Sequence, residues 1–145
     1  MKEVEVKNII IGKQFEENDN YREIIKIAKI KEIKINEVEA GRKINIEKNI
    51  YFDILWPNSE NKINSNVINN NSLVCKLNYK DFSILFTGDI EEIAERAILS
   101  FYEKDSNILK SKVIKVPHHG SKTSSSKEFL SKVNPQIALI GVRKK

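Results

Sequence analysis

The chain has 145 residues, 40% of them hydrophobic and 31% charged, with a net charge of +5. That is the length of one domain, with enough apolar residues to form a core. No apolar run approaches the ~20 residues of a membrane-spanning helix, the start Met-Lys-Glu-Val-Glu-Val lacks the apolar centre of a signal peptide, and a single cysteine, Cys75, excludes an internal disulfide.

The β-branched run Val4 to Ile11, stopped by Gly12, predicts a first strand. Tyr21, Ile24, Ile25 and Ala28 fall at helical spacing, so a helix is expected over Asn20 to Ala28 with Asp19 or Asn20 as its cap. Ile33 to Val38 reads as a short strand, and the three elements together resemble a βαβ unit. Lys43 to Ile46 and Tyr51 to Trp56 suggest a hairpin closed by Pro57. The Asn- and Ser-rich stretch 57–71 reads as a surface loop inside the domain. Beyond it, Ser72 to Tyr79 and Phe82 to Phe86 are joined by Lys80-Asp81, which fits a two-residue hairpin turn. Cys75 lies in this alternating segment and reads as a small buried hydrophobe rather than a nucleophile.

Ile90 to Tyr102 predicts an amphipathic helix. Ile90, Ile93, Ala94, Ala97, Ile98 and Phe101 form its inner stripe, and Glu91, Glu92, Glu95 and Arg96 lie opposite. Lys112 to Val116 is expected as a strand, Ser125 to Val133 as a short helix burying Phe129, Leu130 and Val133, and Gln136 to Val142 as a last buried strand. The fold class is therefore α/β, with helices layered over mixed sheets.

Charge is unevenly spread. Residues 1–102 carry a net of −2, and residues 103–145 a net of +7. Such a basic segment would attract a polyanion such as nucleic acid. The opposing reading is a general bias towards lysine, which outnumbers arginine 21 to 4.

Two segments carry candidate chemistry. Asp89 follows the strand Phe82–Phe86 through Thr87-Gly88, and His118 and His119, the only histidines, follow Val113–Val116 and Pro117. If those strands are parallel neighbours, both loops leave one sheet edge, where sites commonly form. A carboxylate and an imidazole together suit zinc, with manganese as the alternative. Asp89 with Glu92 also has capping-box spacing, and one carboxylate can cap and bind metal at once. Adjacent side chains in extended backbone point to opposite sides, so one histidine is expected to bind metal while the other orients it or touches substrate. Which does which stays open. Gly120 permits a backbone conformation closed to other residues. Gly120, Ser121, Lys122, Thr123, Ser124 and Ser125 lead into the next helix, which suggests contact with a phosphate or substrate, supported by Lys127. Ser125 with Glu128 has capping-box spacing too. No base stands at a defined spacing to make one of these hydroxyls a nucleophile.

The sequences Asn71-Ser72-Leu73-Val74, Leu85-Phe86-Thr87-Gly88-Asp89 and Val116-Pro117-His118-His119-Gly120-Ser121-Lys122-Thr123-Ser124-Ser125-Ser126 resemble the metallo-β-lactamase-like domain of ComEC-type DNA-internalization competence proteins. The resemblance is best over residues 70–142. It implies an αββα sandwich with mixed β-sheets, a divalent metal and hydrolysis of a DNA phosphodiester. Asp89 and one of His118 and His119 would be metal ligands, and the metal would activate water. It also implies the outer face of the bacterial cytoplasmic membrane as the place of action, as part of a larger protein.

Such domains carry an earlier His-x-His-x-Asp-His loop and a later Gly-His-Pro loop, and this chain holds neither. The expectation is a single incomplete domain over residues 1–145: a partial sandwich without its first strands and with apolar edges uncovered. It would need the N-terminal part of the same domain as a partner and would be inactive alone. The alternative is a non-catalytic remnant or basic module that holds nucleic acid.

Overall fold

The computed structural model describes residues 4–13 and 15–142. The basic end Arg143 to Lys145, counted in the positive segment above, lies outside the described residues.

The chain opens with the expected βαβ unit. Strand β1 (Asn8–Gly12) and strand β2 (Lys34–Val38) pair in parallel, with helix α1 (Asp19–Ile30) between them in sequence. The strand is shorter than its apolar run, starting at Asn8 rather than Val4. The helix cap is Asn18, whose side chain accepts the Tyr21 N–H, and not Asp19 or Asn20. An Asn side chain is a good acceptor for the free amides of a first turn, which moves the start back.

The second sheet has six strands in the order β3-β4-β5-β6-β7-β8. Strands β3 (Lys43–Glu47), β4 (Ile50–Trp56), β5 (Val74–Tyr79) and β6 (Phe82–Phe86) form an antiparallel meander. Tyr79 pairs with Phe82 across the expected Lys80-Asp81 turn. Strands β7 (Val113–Lys115) and β8 (Ile137–Leu139) then add in parallel to β6. The parallel relation of β6 and β7, on which the candidate site depends, is present. The fold is α/β with a mixed sheet.

One face of this sheet is covered. Leu55, Val74, Leu85 and Ile114 meet helix α3 (Glu92–Phe101), helix α4 (Lys127–Val133) and the loop before β7 through Ile90, Ala94, Ile98, Leu109, Phe129 and Val133. All of these are inaccessible to solvent. Burying a side chain the size of Phe129 contributes roughly 1.5–3 kcal/mol. The stripe of α3 is rotated from the expected one: Glu95 is fully buried, while Ile93 and Phe101 are exposed. Glu95 turns inward because its carboxylate accepts the backbone N–H groups of Ser125 (2.5 Å) and Ser126 (2.8 Å).

The stretch 57–71 is more than a surface loop. It contains a 3-10 turn (Ser59–Asn61) and a short helix α2 (Val67–Asn70), and it buries Ile63, Asn70 and Asn71. Asn71 holds both the N–H and the C=O of Ile63, and the Trp56 indole donates to the Asn70 carbonyl. Strand β8 is also not buried: Ile137 and Leu139 are about half exposed at the sheet edge.

Candidate active site at the ends of β6 and β7

Thr87 and Gly88 carry the chain from β6 into the site. Thr87 is buried and its hydroxyl donates to the Lys115 carbonyl (2.6 Å), tying the ends of the two strands together. Gly88 has φ +57°, and a Cβ there would lie 2.6 Å from the Ser72 Cβ. Both facts require glycine. The Ser72 hydroxyl in turn faces the Asp89 N–H (3.4 Å). The Asn70-Asn71-Ser72 run thus builds the floor on which the Asp89 loop rests.

Asp89 is not a helix cap. The cap position of α3 is Glu91, and no side chain caps the helix. The Asp89 carboxylate instead meets Lys115, with Oδ1 3.3 Å from Nζ, and His119, with Oδ1 3.7 Å from Nε2. Lys115 also donates to the Gly88 carbonyl (2.7 Å). A lysine inside the otherwise apolar strand Val113–Val116 was the sequence signal for this contact.

His118, His119 and Gly120 have φ of +44°, +53° and +75°, three left-handed residues in succession. For the two histidines this conformation costs roughly 1–2 kcal/mol each. Such strain persists only where the surroundings impose it, and it concentrates at functional sites. Here the His118 N–H donates to the Gly88 carbonyl (3.2 Å) and the Ser121 N–H to the His118 carbonyl (2.9 Å). The backbone is therefore a tight turn, not the extended chain expected, yet the two side chains still diverge. His119 places Nδ1 2.7 Å from the Gly141 carbonyl. A carbonyl can only accept, so Nδ1 carries a proton, and Nε2 is the ring nitrogen that faces Asp89. His118 turns towards Glu91, with Nδ1 3.6 Å from Oε1.

Glu91 is the residue that sequence reasoning missed. Its carboxylate accepts from the Asn70 side-chain amide (3.1 Å) and from the Thr123 hydroxyl (3.2 Å), and its N–H donates to the Asn70 Oδ1 (2.9 Å). Burial pushes its carboxyl up, but hydrogen bonds from Asn70, Asn66 and Thr123, with the His118 ring nearby, together outweigh this and hold it below the usual carboxylate range. Nothing in the spacing of an acidic helix start marks Glu91 apart from Glu92.

The hydroxyl run is arranged mostly for structure. The cap of α4 is Ser126, which accepts the Phe129 N–H, and not Ser125. Ser125 has φ +67° and its N–H is held by Glu95, so the helix start already faces a carboxylate. Ser124 donates to the Ser121 carbonyl, and Ser121 and Thr123 hydrogen-bond each other (2.9 Å). Lys122 stays exposed beside them.

Asp89 and His119 converge at 3.7 Å and offer an oxygen and a nitrogen of the kind zinc or manganese takes. Among the described residues no group of three His, Cys, Asp or Glu comes together. The donors thus suit such a metal in kind and fall short in number, since a catalytic zinc takes three protein ligands. Beside the site a cleft of about 400 Å³ is lined by Gly88, Ser72, Leu73, Lys13 and Phe15 among others, at the end of β1.

No family model matches the chain. Similar proteins are found nonetheless. The chain is 30% identical, over 144 residues, to ComE operon protein 3 of Bacillus subtilis strain 168, a match that covers 99% of the chain and 18% of that protein. It is 33% identical over 88 residues to competence protein ComA of Neisseria gonorrhoeae, covering 61% of the chain and 12% of that protein. The chain is thus similar to a segment of each of these two longer proteins, the second of which is named a competence protein. A further match, 45% identical over 71 residues, is to the uncharacterized protein YcaI of Escherichia coli K12, covering 49% of the chain and 9% of that protein. The chain thus spans less than a fifth of the length of each of these relatives. Among the described residues no helix is long and apolar enough to cross a membrane.

Proposed function

We propose that this chain is part of a metal-dependent phosphodiester hydrolase of the metallo-β-lactamase-like kind, acting on DNA in competence-type uptake, and that it does not turn over substrate alone. The observation that carries the reading is the meeting of Asp89 Oδ1 and His119 Nε2 at the carboxyl ends of two adjacent parallel strands, beside a strained His-His-Gly turn. Asp89 and His119 would hold the metal, which when bound supplies Lewis-acid chemistry towards water and phosphoryl oxygens. Gly141 fixes the His119 ring, and Lys115 balances the Asp89 charge and stands ready to meet a phosphate oxygen. Lys122 adds positive charge at the rim.

The remaining donors would come from a segment that covers the open face of the six-stranded sheet. By strand alternation Lys115 shares that face with Phe86 and Leu139, its cross-strand partners. The site therefore lies at the rim of the surface such a segment would cover.

Zinc titration of the chain tests the donor assignment. Weak binding is expected, lost in Asp89→Ala and in His119→Ala and retained in His118→Ala. Binding that survives both Asp89→Ala and His119→Ala overturns it. The activity is tested on the longer protein: single-stranded DNA cleavage dependent on zinc or manganese should disappear in Asp89→Ala.

A second reading, a basic module that only holds nucleic acid, is favoured by the net +7 of residues 103–145. It expects DNA binding that weakens steeply with salt and no cleavage under any metal.

A further inference from the structure

His118 poses a question that the Asp89–His119 pair does not answer. Its Nδ1 is inaccessible to solvent and has no hydrogen-bond partner among the described residues. The group facing it is Glu91 Oε1 at 3.6 Å. Glu91 cannot simply turn away. Its carboxylate is held from the α2 side by Asn70 and from the histidine loop by Thr123, while the neighbouring Glu92 N–H donates to the Thr123 carbonyl (2.9 Å). Three segments (residues 66–71, 89–92 and 118–123) therefore meet on one carboxylate.

A neutral imidazole carries its proton on one nitrogen only. With the proton on Nε2, the solvent-inaccessible Nδ1 lone pair of His118 would point at the oxygen of a partly exposed carboxylate. That arrangement repels and leaves a buried acceptor without a donor. With the proton on Nδ1, the same geometry becomes an attraction to a fixed negative charge, and Nε2 is left free. We infer that Glu91 is a positioning residue that holds His118 in its Nδ1–H form, as the Gly141 carbonyl holds His119. Both rings are then pinned through Nδ1, and each has Nε2 free to act. The divergence of the two side chains gives them separate work: His119 Nε2 faces Asp89, and His118 Nε2 is an acceptor available to a substrate or to an attacking water. This role for His118 rests on the hydrolase reading above, whereas the tautomer can be read without it.

The chain has only two histidines, so four ring nitrogens make up the whole imidazole spectrum. Long-range proton–nitrogen correlation spectra of the 15N-labelled 145-residue chain, at a pH where both rings are neutral, report each tautomer directly. His118→Ala assigns the signals. Both rings are expected as Nδ1–H in the wild type. In Glu91→Ala the His118 signals should shift towards the Nε2–H form that free imidazole side chains prefer, with His119 unchanged; Glu91→Asp should restore part of the wild-type ratio. His118 in the Nε2–H form in the wild type overturns the inference, as does an Nδ1–H form that persists unchanged in Glu91→Ala. If Glu91→Ala disturbs folding, His119 reports it by changing too, and the wild-type spectrum then decides. The readout needs no turnover. An inactive full-length protein would sink the hydrolase reading and leave the tautomers standing, and a wrong tautomer would do the reverse.

Discussion

The two faces of the six-stranded sheet are built from similar residues and live in different surroundings. On one side Val74, Leu85 and Ile114 are fully buried beneath α3 and α4. On the other, the alternating positions hold Phe52, Ile54, Cys75, Leu77, Phe82, Ile84, Phe86, Val113, Ile137 and Leu139. Neighbours shield Ile54 and Val113, but Phe82, Phe86, Ile137 and Leu139 stay exposed. Contiguous apolar patches of this kind mark interaction surfaces. A strand that is apolar on both faces is the pattern of a sheet buried on both faces. The helix-covered side therefore carries the stability of this chain, and the open side is where the proposed covering segment would sit.

Truncating a phenylalanine on each face gives the widest contrast. Phe129→Ala should cost about 3–5 kcal/mol, the range for a fully buried aromatic, and Phe86→Ala less than about 1 kcal/mol. Denaturant unfolding of both variants measures this. Equal losses would mean that the open face is covered in solution, for instance by a second copy. Cys75 reports on the same face chemically. Burial pushes its thiol from 9.0 up to about 11. At pH 8 the folded chain should hold about a hundredfold less thiolate than an unconstrained thiol, and alkylation should slow accordingly. Alkylation of the native chain at the rate of the urea-unfolded chain would contradict this and show the Cys75 thiol itself to be open to solvent.

The contrast was partly legible in the sequence. The alternating run Ser72 to Phe86 announces a hairpin, and the strand-turn-Asp and strand-turn-His patterns place the site at one sheet edge; the parallel pairing of β6 and β7 agrees. Helix periodicity was less reliable. Residues 90, 93, 94, 97, 98 and 101 satisfy the helical spacing, but so do 91, 94, 95, 98 and 102, and the structure buries Glu95 and leaves Ile93 exposed. A hydrophobic stripe cannot reveal that a carboxylate is needed inside to bind the amides of Ser125 and Ser126. The caps were misplaced for a related reason. Asp89 and Ser125 have capping-box spacing, yet Asp89 meets Lys115 and Ser125 adopts a left-handed turn. Glu91, Lys115 and Asn70 act through side-chain partners 21 to 32 residues away in sequence, distances at which local spacing carries no information.

Glu95 sharpens the comparison, since it is a charged group fully buried on the stable side. Glu95→Ala should destabilise by about 2–3 kcal/mol, because two backbone N–H groups lose a charged acceptor in a site closed to water. Glu95→Gln, which keeps one carbonyl oxygen, should cost less. Unfolding midpoints of the two variants give the order. A loss in Glu95→Ala below about 0.5 kcal/mol would mean that the turn at 124–126 finds other partners.

The smallest stability change is expected where the surface looks most in need of repair. Replacing Ile137 and Leu139 with lysine puts two charges on β8, an edge strand whose side chains are about half exposed in the isolated chain. Since neither position loses a buried contact, stability should stay within about 0.5 kcal/mol of the wild type. Self-association should fall, because charges on an edge strand oppose pairing and remove part of the apolar patch. Sedimentation across a concentration series separates the two effects. If the double variant loses several kcal/mol instead, β8 is buried in solution and both faces of the sheet are already covered. If stability and association both stay unchanged, the exposed residues of β8 are not part of any contact the chain makes with itself, and the covering segment has to be sought in the rest of a longer protein.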